Sequence, residues 1–243
     1  MIDPVQAAAM LTDSRDDEYR LRMLAFQPDV IYDIGACVGG FALWAAEVFP
    51  DATIVSVEPQ EDNYRVLVDN TAHLPQVVTV HAALAADKQV SYHPNSPGIG
   101  NWIFVSESSP TYDAETTRTC EVTAITLDEL YVTYGGQRYV VKLDCESGEM
   151  MIVTHKPSRR IATGAAYLTG EFHLWGRTHE ILTGAMRQFF WWLYTLQTTH
   201  DVDAAFRGGM AMIYATRRPG ADMANDWDDV VQLMDEQANG QSE

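Results

Sequence analysis

Four residues in the first quarter of the chain have types and spacing suited to holding a ligand: Asp33, Gly35, Gly39 and Glu58. They lie in the segments VIYDIGACVGGF and TIVSVEP. With Gly40 the glycines read G-x-x-x-G-G, which differs from the G-x-G-x-x-G turn that gathers backbone N–H groups around a pyrophosphate. A ligand carrying an ammonium and a sulfonium fits this turn better. Asp33, at the end of the strand expected at the start of the first segment, can offset such positive charge directly or through a water. Gly35 lets the backbone approach the ligand. Glu58 follows Gly35 by 23 residues, at the place where a carboxylate can accept both hydroxyl hydrogens of a ribose. Ala36 and Phe41 on the turn, and Pro59 after Glu58, belong to the same expected wall. Further on, Ala82 and Ala83 leave room for a flat adenine ring, and Asp87 could accept from its amino group. The plainer alternatives are a common βα-turn glycine at Gly35 and packing spacers at the two alanines.

A second group could carry acid–base chemistry. Asp144 ends the segment RYVVKLD and Glu146 and Glu149 follow it, while Glu171 and His173 are two apart in an extended segment and therefore share a face. Displacement at a sulfonium methyl requires an aligned acceptor and, for a hydroxyl, removal of its proton. His173 is the first candidate for that base, because imidazole titrates near neutrality, with Glu171 or Asp144 orienting it. The alternative is a hydrogen-bonded strand-end histidine with no chemical part. Asp144, Glu171 and His173 could also hold Mg2+ or Mn2+ and lower the hydroxyl's pKa. The absence of a compact ligand motif makes no metal the first expectation.

These groups need a scaffold that brings distant segments to one edge. VIYDIG, TIVSVEP, VVTVHAAL (Val77 to Leu84), RYVVKLD and a segment from Ala165 read as strands buried on both faces. FALWAAEVF, a segment with Tyr64, Leu67, Val68 and Ala72 on one face, and stretches near Glu149 to His155 and Thr178 to Leu196 read as helices. Another helix is expected over about Asp16 to Phe26, covering one sheet edge and stopped by Pro28. The alternation breaks over about residues 91–119, read as an insertion near the ligand in which Asn101, Trp102 and Phe104 could cap the cleft. A closing hairpin is expected, its second strand GMAMIYATR. The predicted fold is α/β and Rossmann-like, a mostly parallel seven-stranded sheet with helices on both faces and the ligand at the strands' carboxyl ends. The expected division is an N-terminal helical cap over 1–29, a main domain over 30–220 and an acidic helical tail over 221–243.

Composition removes several function classes. The 243 residues hold 16 Lys plus Arg against 34 Asp plus Glu, a formal charge of -18 that repels nucleic acid and anionic membranes. Cys37, Cys120 and Cys145 show neither a disulfide framework nor zinc-site spacing. No secretory signal or membrane-spanning run is seen, so a cytoplasmic protein is expected. FFWW at Phe189 to Trp192 exceeds one helix face, which predicts either deep burial or a homodimer interface.

The chain resembles the FkbM-type methyltransferase family through VIYDIGACVGGF, IVSVEPQEDNYRVLVDN, VVTVHAALAAD, ITLDELYVTYGGQRYVVKLDCESGEM and GEFH, spanning roughly Val30 to Trp175. The resemblance implies a class I methyltransferase fold, S-adenosylmethionine as cofactor, and O-methylation of a sugar or other secondary-metabolite hydroxyl. It also implies that Asp33, Gly35, Glu58 and Asp144 line the cofactor and methyl-transfer cleft. Ser147 stands where the family usually has glycine, with Gly148 following, which puts the local turn in question. The competing classes are a non-catalytic S-adenosylmethionine-binding module and a nicotinamide oxidoreductase, the latter disfavoured by the glycine spacing.

Overall fold

The computed structural model describes residues 17–86, 89–92, 103–104, 120–146, 148–174, 179–207 and 210–221. In chain order the elements are β1 (Val30–Ile34), α1 (Gly40–Val48), β2 (Thr53–Glu58), α2 (Glu61–Thr71), β3 (Val77–His81), β4 (Ala83–Leu84), β5 (Gln89–Tyr92), β6 (Ile103–Phe104) and β7 (Cys120–Ile125). They continue with α3 (Leu127–Tyr134), β8 (Tyr139–Leu143), α4 (Glu149–Thr154), α5 (Lys156–Gly164), β9 (Tyr167–His173), α6 (His179–Thr199), β10 (His200–Arg207) and β11 (Met210–Arg217).

The main sheet has seven strands in the order β10-β11-β9-β8-β1-β2-β3. Pairs from β9 to β3 are parallel, and β11 joins β9 and β10 antiparallel. The order turns outward from β1, so the carboxyl ends of β1, β2, β8 and β9 share one edge, where a ligand crevice is expected. The central strands β1 and β8 are buried at every residue, which their unbroken apolar runs require. Side-chain alternation divides the core. Val30, Tyr32 and Ile34 of β1 face a cluster with Leu130 of α3, Ile152 of α4 and Trp192 of α6. Ile31 faces the opposite cluster, with Phe41 and Trp44 of α1 and with Tyr19 and Leu21.

Several local expectations change. The segment near Asp16 to Phe26 contains a single 3-10 turn, Leu21–Met23, instead of a helix. It packs on the sheet face, where Tyr19 and Leu21 bury their side chains against α1 and β9, and reaches the edge strand β10 through an Arg20–Asp203 ion pair at 2.6 Å. VVTVHAAL is divided at Ala82 into β3 and β4, and β4 leaves the main sheet to pair with β7. A second sheet, in the order β4-β7-β5-β6, brackets the expected insertion, which supplies β6 and the end of β5. Asp87, Asn101, Trp102 and Ser147 lie outside the described residues, as do most of the expected N-terminal cap and nearly all of the tail. The element α3 follows a Thr126/Glu129 capping box, with Glu129 N–H donating to Thr126 Oγ1 at 3.3 Å and Thr126 N–H to Glu129 Oε2 at 2.9 Å. The FFWW segment splits its faces: Phe189 and Trp192 are buried, Phe190 and Trp191 exposed. Among the described residues no helix is long and apolar enough to cross a membrane.

Candidate functional site

The turn after β1 is fastened from within. Gly35 and Ala36 both donate their N–H groups to the Val57 carbonyl at 3.0 Å, which ties the turn to β2. Gly35 has φ +82, and an added Cβ would lie 1.7 Å from the Asp144 carbonyl oxygen. Its missing side chain therefore serves close packing against the end of β8. Gly39 has the same character on a smaller scale. At φ +90 it precedes α1, and a Cβ there would meet Leu67 Cδ1 of α2 at 2.9 Å. Phe41 moves from the expected ligand wall into the core, edge-on to Tyr19 at 5.6 Å and beside Trp44.

Glu58 lies where the sequence reading put it, at the end of β2 and facing the turn. Its Oε2 accepts the Cys37 N–H at 2.9 Å, and its Oε1 accepts the Gln60 N–H at 2.9 Å and Asn63 Nδ2 at 3.5 Å. Burial nevertheless outweighs these donors and pushes the Glu58 carboxyl up to about 7. Oε2, with one donor, retains acceptor capacity, and the Asn63 contact on Oε1 is long. Next to it, the Pro59 carbonyl lies 3.0 Å from His81 Nε2, and Ala82 and Ala83 are buried small residues where the chain leaves β3.

Asp33 has a different role from the one expected. Its carboxylate is fully buried, with Lys142 Nζ of β8 at 3.0 Å from Oδ1 and Ser56 Oγ at 3.1 Å from Oδ2. Two buried charges on adjacent strands must pair, since either alone would carry a large desolvation cost. Asp33 therefore offsets Lys142 and not a ligand's charge. Lys142 also donates to the Gly35 carbonyl at 2.9 Å, so this pair sets the shape of the turn.

The acidic group gathers at the ends of β8 and β9. Glu149, the first residue of α4, is fully buried. Its Oε1 accepts the Cys145 N–H at 2.6 Å and contacts His173 Nδ1 at 3.2 Å, and its Oε2 accepts the His173 N–H at 3.5 Å. The other ring nitrogen of His173 faces Glu171 Oε2 at 3.5 Å and Glu146 Oε2 at 3.6 Å. One ligand atom each from Asp144, Glu146 and His173 lies within 4.8 Å of the others. Burial alone would lower the His173 pKa, but the Glu149 hydrogen bond and the Glu149, Glu146 and Asp144 charges hold it up at about 9. A protonated imidazole cannot accept a proton, so this shift weighs against the general-base role expected of His173 in the ion-free protein. Burial and the Asp144 charge push Glu171 up to about 7. Tyr19 closes the group from the N-terminal segment, its hydroxyl donating to Asp144 Oδ2 at 2.8 Å.

Comparison with known families supplies the deciding observation. Residues 33–192 match the model of the methyltransferase FkbM domain, an interval that runs from Asp33 through Glu58 and Asp144 to His173 and beyond. The chain belongs to the FkbM methyltransferase family. No curated protein matches it. Among solved structures it is similar to an O-methyltransferase from Bacillus cereus in complex with SAH, with TM-score 0.45, 10% identity, and 89% of this chain and 83% of that one covered. It is also similar to a putative rRNA-methylase from Clostridium thermocellum, with TM-score 0.44, 11% identity, and coverage of 86% and 95%. Precorrin-6y C5,15-methyltransferase from Geobacter metallireducens GS-15 follows, with TM-score 0.39, 13% identity, and 90% of each chain covered. Likenesses this distant say nothing about substrate.

The structure joins Glu171 to His173 as side-chain alternation requires, and adds to the site Lys142, Tyr19 and the pairing of Glu149 with His173, none of which sequence reasoning placed. Lys142 had a visible signal, a lone cation inside the apolar run YVVKL one strand from an acid. Glu149 was visible only as one of several acids, because its pairing with His173 depends on how α4 folds back on β9. Tyr19 had no signal, since the contact spans 125 residues of sequence.

Proposed function

We propose that this FkbM methyltransferase uses S-adenosylmethionine to methylate a hydroxyl oxygen of a sugar or another small secondary metabolite. When bound, the cofactor would supply an electrophilic methyl on a sulfonium. The observation that carries the reading is Glu58: a buried carboxylate, still held at about 7 after three donors, that gains from further donors such as a pair of ribose hydroxyls. The residues present fit the cofactor there, with Glu58 accepting the ribose hydroxyls and Pro59 beside it, while Ala82 and Ala83 pack in the core behind them. Lys142, held by Asp33, fixes the carbonyl of Gly35 in the facing turn.

On the neighbouring strand ends, the carboxylates of Asp144, Glu146 and Glu171 are the groups able to take the acceptor's proton, in place of His173. The chain's charge of -18 favours a neutral acceptor over a polyanionic one. Calorimetric titration with S-adenosylmethionine, its demethylated product and NAD tests the cofactor. Saturable binding of the first two and none of the third is expected, and the reverse pattern would overturn the reading. Incubation with labelled cofactor and a panel of hydroxyl compounds then tests transfer, read as label in the acceptor by mass spectrometry. Cofactor binding without transfer to any hydroxyl compound would favour a binding module.

A further inference from the structure

The geometry points to a divalent-cation site formed by Asp144, Glu146 and His173, which we propose binds Mn2+ in preference to Mg2+. Three features carry this. First, Glu149 holds Nδ1 of His173 at 3.2 Å from the side away from the carboxylates. That is how a metal-ligating imidazole is usually oriented, with a carboxylate fixing one nitrogen so that the other presents its lone pair. Second, Nε2 faces oxygens of Glu171 and Glu146 at 3.5 and 3.6 Å. These separations are long for charge-assisted hydrogen bonds, which run at about 2.7–2.9 Å. They match neighbouring ligands on one cation, since bonds of about 2.1 Å put ligand atoms roughly 3–4 Å apart. Third, His173 is 6% exposed and carboxylates of Asp144, Glu146 and Glu171 gather on its Nε2 side, so an ion that displaces the ring's proton would meet several oxygens at once.

Two carboxylates with one imidazole suit a first-row ion better than Mg2+, which prefers an all-oxygen, largely hydrated shell. Three protein ligands leave positions open at the mouth of the site, next to Glu171. Such an ion would hold acceptor oxygens and lower their pKa, a use that rests on the methyl-transfer reading although the binding itself does not.

The test is titration of the metal-stripped full chain with Mn2+, followed by electron paramagnetic resonance of the free ion. Wild-type protein is expected to take up one equivalent. Glu146→Gln, whose side chain is partly exposed, should keep the fold and weaken binding at least tenfold. Glu149→Gln should weaken it by about 10–100-fold by releasing the imidazole. His155→Ala, at the opposite end of α4, should leave it unchanged. No uptake by wild-type protein, or equal uptake by Glu146→Gln, overturns the site. Mn2+ binding without S-adenosylmethionine binding would leave the ion in place and remove the cofactor reading; the opposite result would remove only the ion.

Discussion

The two halves of the site solve electrostatics in opposite ways. On the side of β1 and β2, every charge is answered from within: Asp33 by Lys142 and Ser56, and Glu58 by two backbone N–H groups and Asn63. On the side of β8 and β9, Asp144, Glu146 and Glu171 converge around one imidazole. The first half is a preorganised mould. The second concentrates like charge, an arrangement suited to holding a cation or a proton that comes and goes. Charge-removing substitutions should therefore harm folding in the first half and chemistry in the second.

The largest effect expected in the mould is Gly35→Ala. Its Cβ would overlap the Asp144 carbonyl at 1.7 Å, so either the turn or β8 must move. A loss of more than about 4 kcal/mol in urea unfolding, or no folded protein at all, is expected. Gly39→Ala is the matched comparison. Its clash is with the end of the flexible Leu67 side chain, so about 1–2 kcal/mol, the ordinary left-handed penalty, should suffice. Equal losses would mean that backbone strain, and not contact with β8, sets the need for glycine.

Next is Lys142→Met, which leaves Asp33 charged in the core with only the Ser56 hydroxyl and no counter-charge. A cost of about 3–5 kcal/mol is expected, and the double variant Asp33→Asn with Lys142→Met should recover much of it. If the double variant is as unstable as the single one, the lysine matters for its contact with the Gly35 carbonyl more than for its charge.

How far the sequence revealed these two halves follows from the range of the contacts. Asp33, Gly35 and Glu58 sit at strand ends, and strands buried on both faces are legible as short apolar runs, so their convergence could be read directly. Their tasks could not. Whether Asp33 meets a ligand or Lys142 depends on which strand lies beside β1, and that neighbour is 109 residues away. The same holds for His173: alternation put it beside Glu171, but the partner that fixes its ring, Glu149, comes from a helix whose angle no periodicity encodes. The N-terminal segment shows the converse case. Its apolar residues suggested a helix, yet tertiary burial of Tyr19 and Leu21 held it in turns.

A smaller effect separates folding from binding in the mould. Glu58 has a raised pKa in the free protein, so it is protonated below about 7, and a cofactor whose hydroxyls donate to the carboxylate must displace that proton. Affinity for S-adenosylmethionine should therefore rise with pH, by up to roughly tenfold per unit, and level off above about 7. Glu58→Gln should bind about 10–100-fold more weakly with a flat pH profile. A wild-type profile that is flat from pH 5 to about 8 would detach Glu58 from the cofactor.

The smallest expected change is at the seam between the halves, where Tyr19 touches both. Its ring packs on Phe41 and lies 5.3 Å from Lys142 Nζ, while its hydroxyl donates to Asp144. Its carbonyl accepts the Tyr167 hydroxyl at 2.9 Å, so the segment has a second anchor. Tyr19→Phe keeps the ring and deletes one part-buried hydrogen bond, a loss of about 1–2 kcal/mol. Tyr19→Ala also removes the packing and should cost about 3–5 kcal/mol. Urea unfolding of both variants separates the two contributions. If Tyr19→Phe is as damaging as Tyr19→Ala, the hydroxyl's hold on Asp144 organises the charged half. If it is neutral, the segment is only a lid on the mould, and the two halves are electrostatically independent.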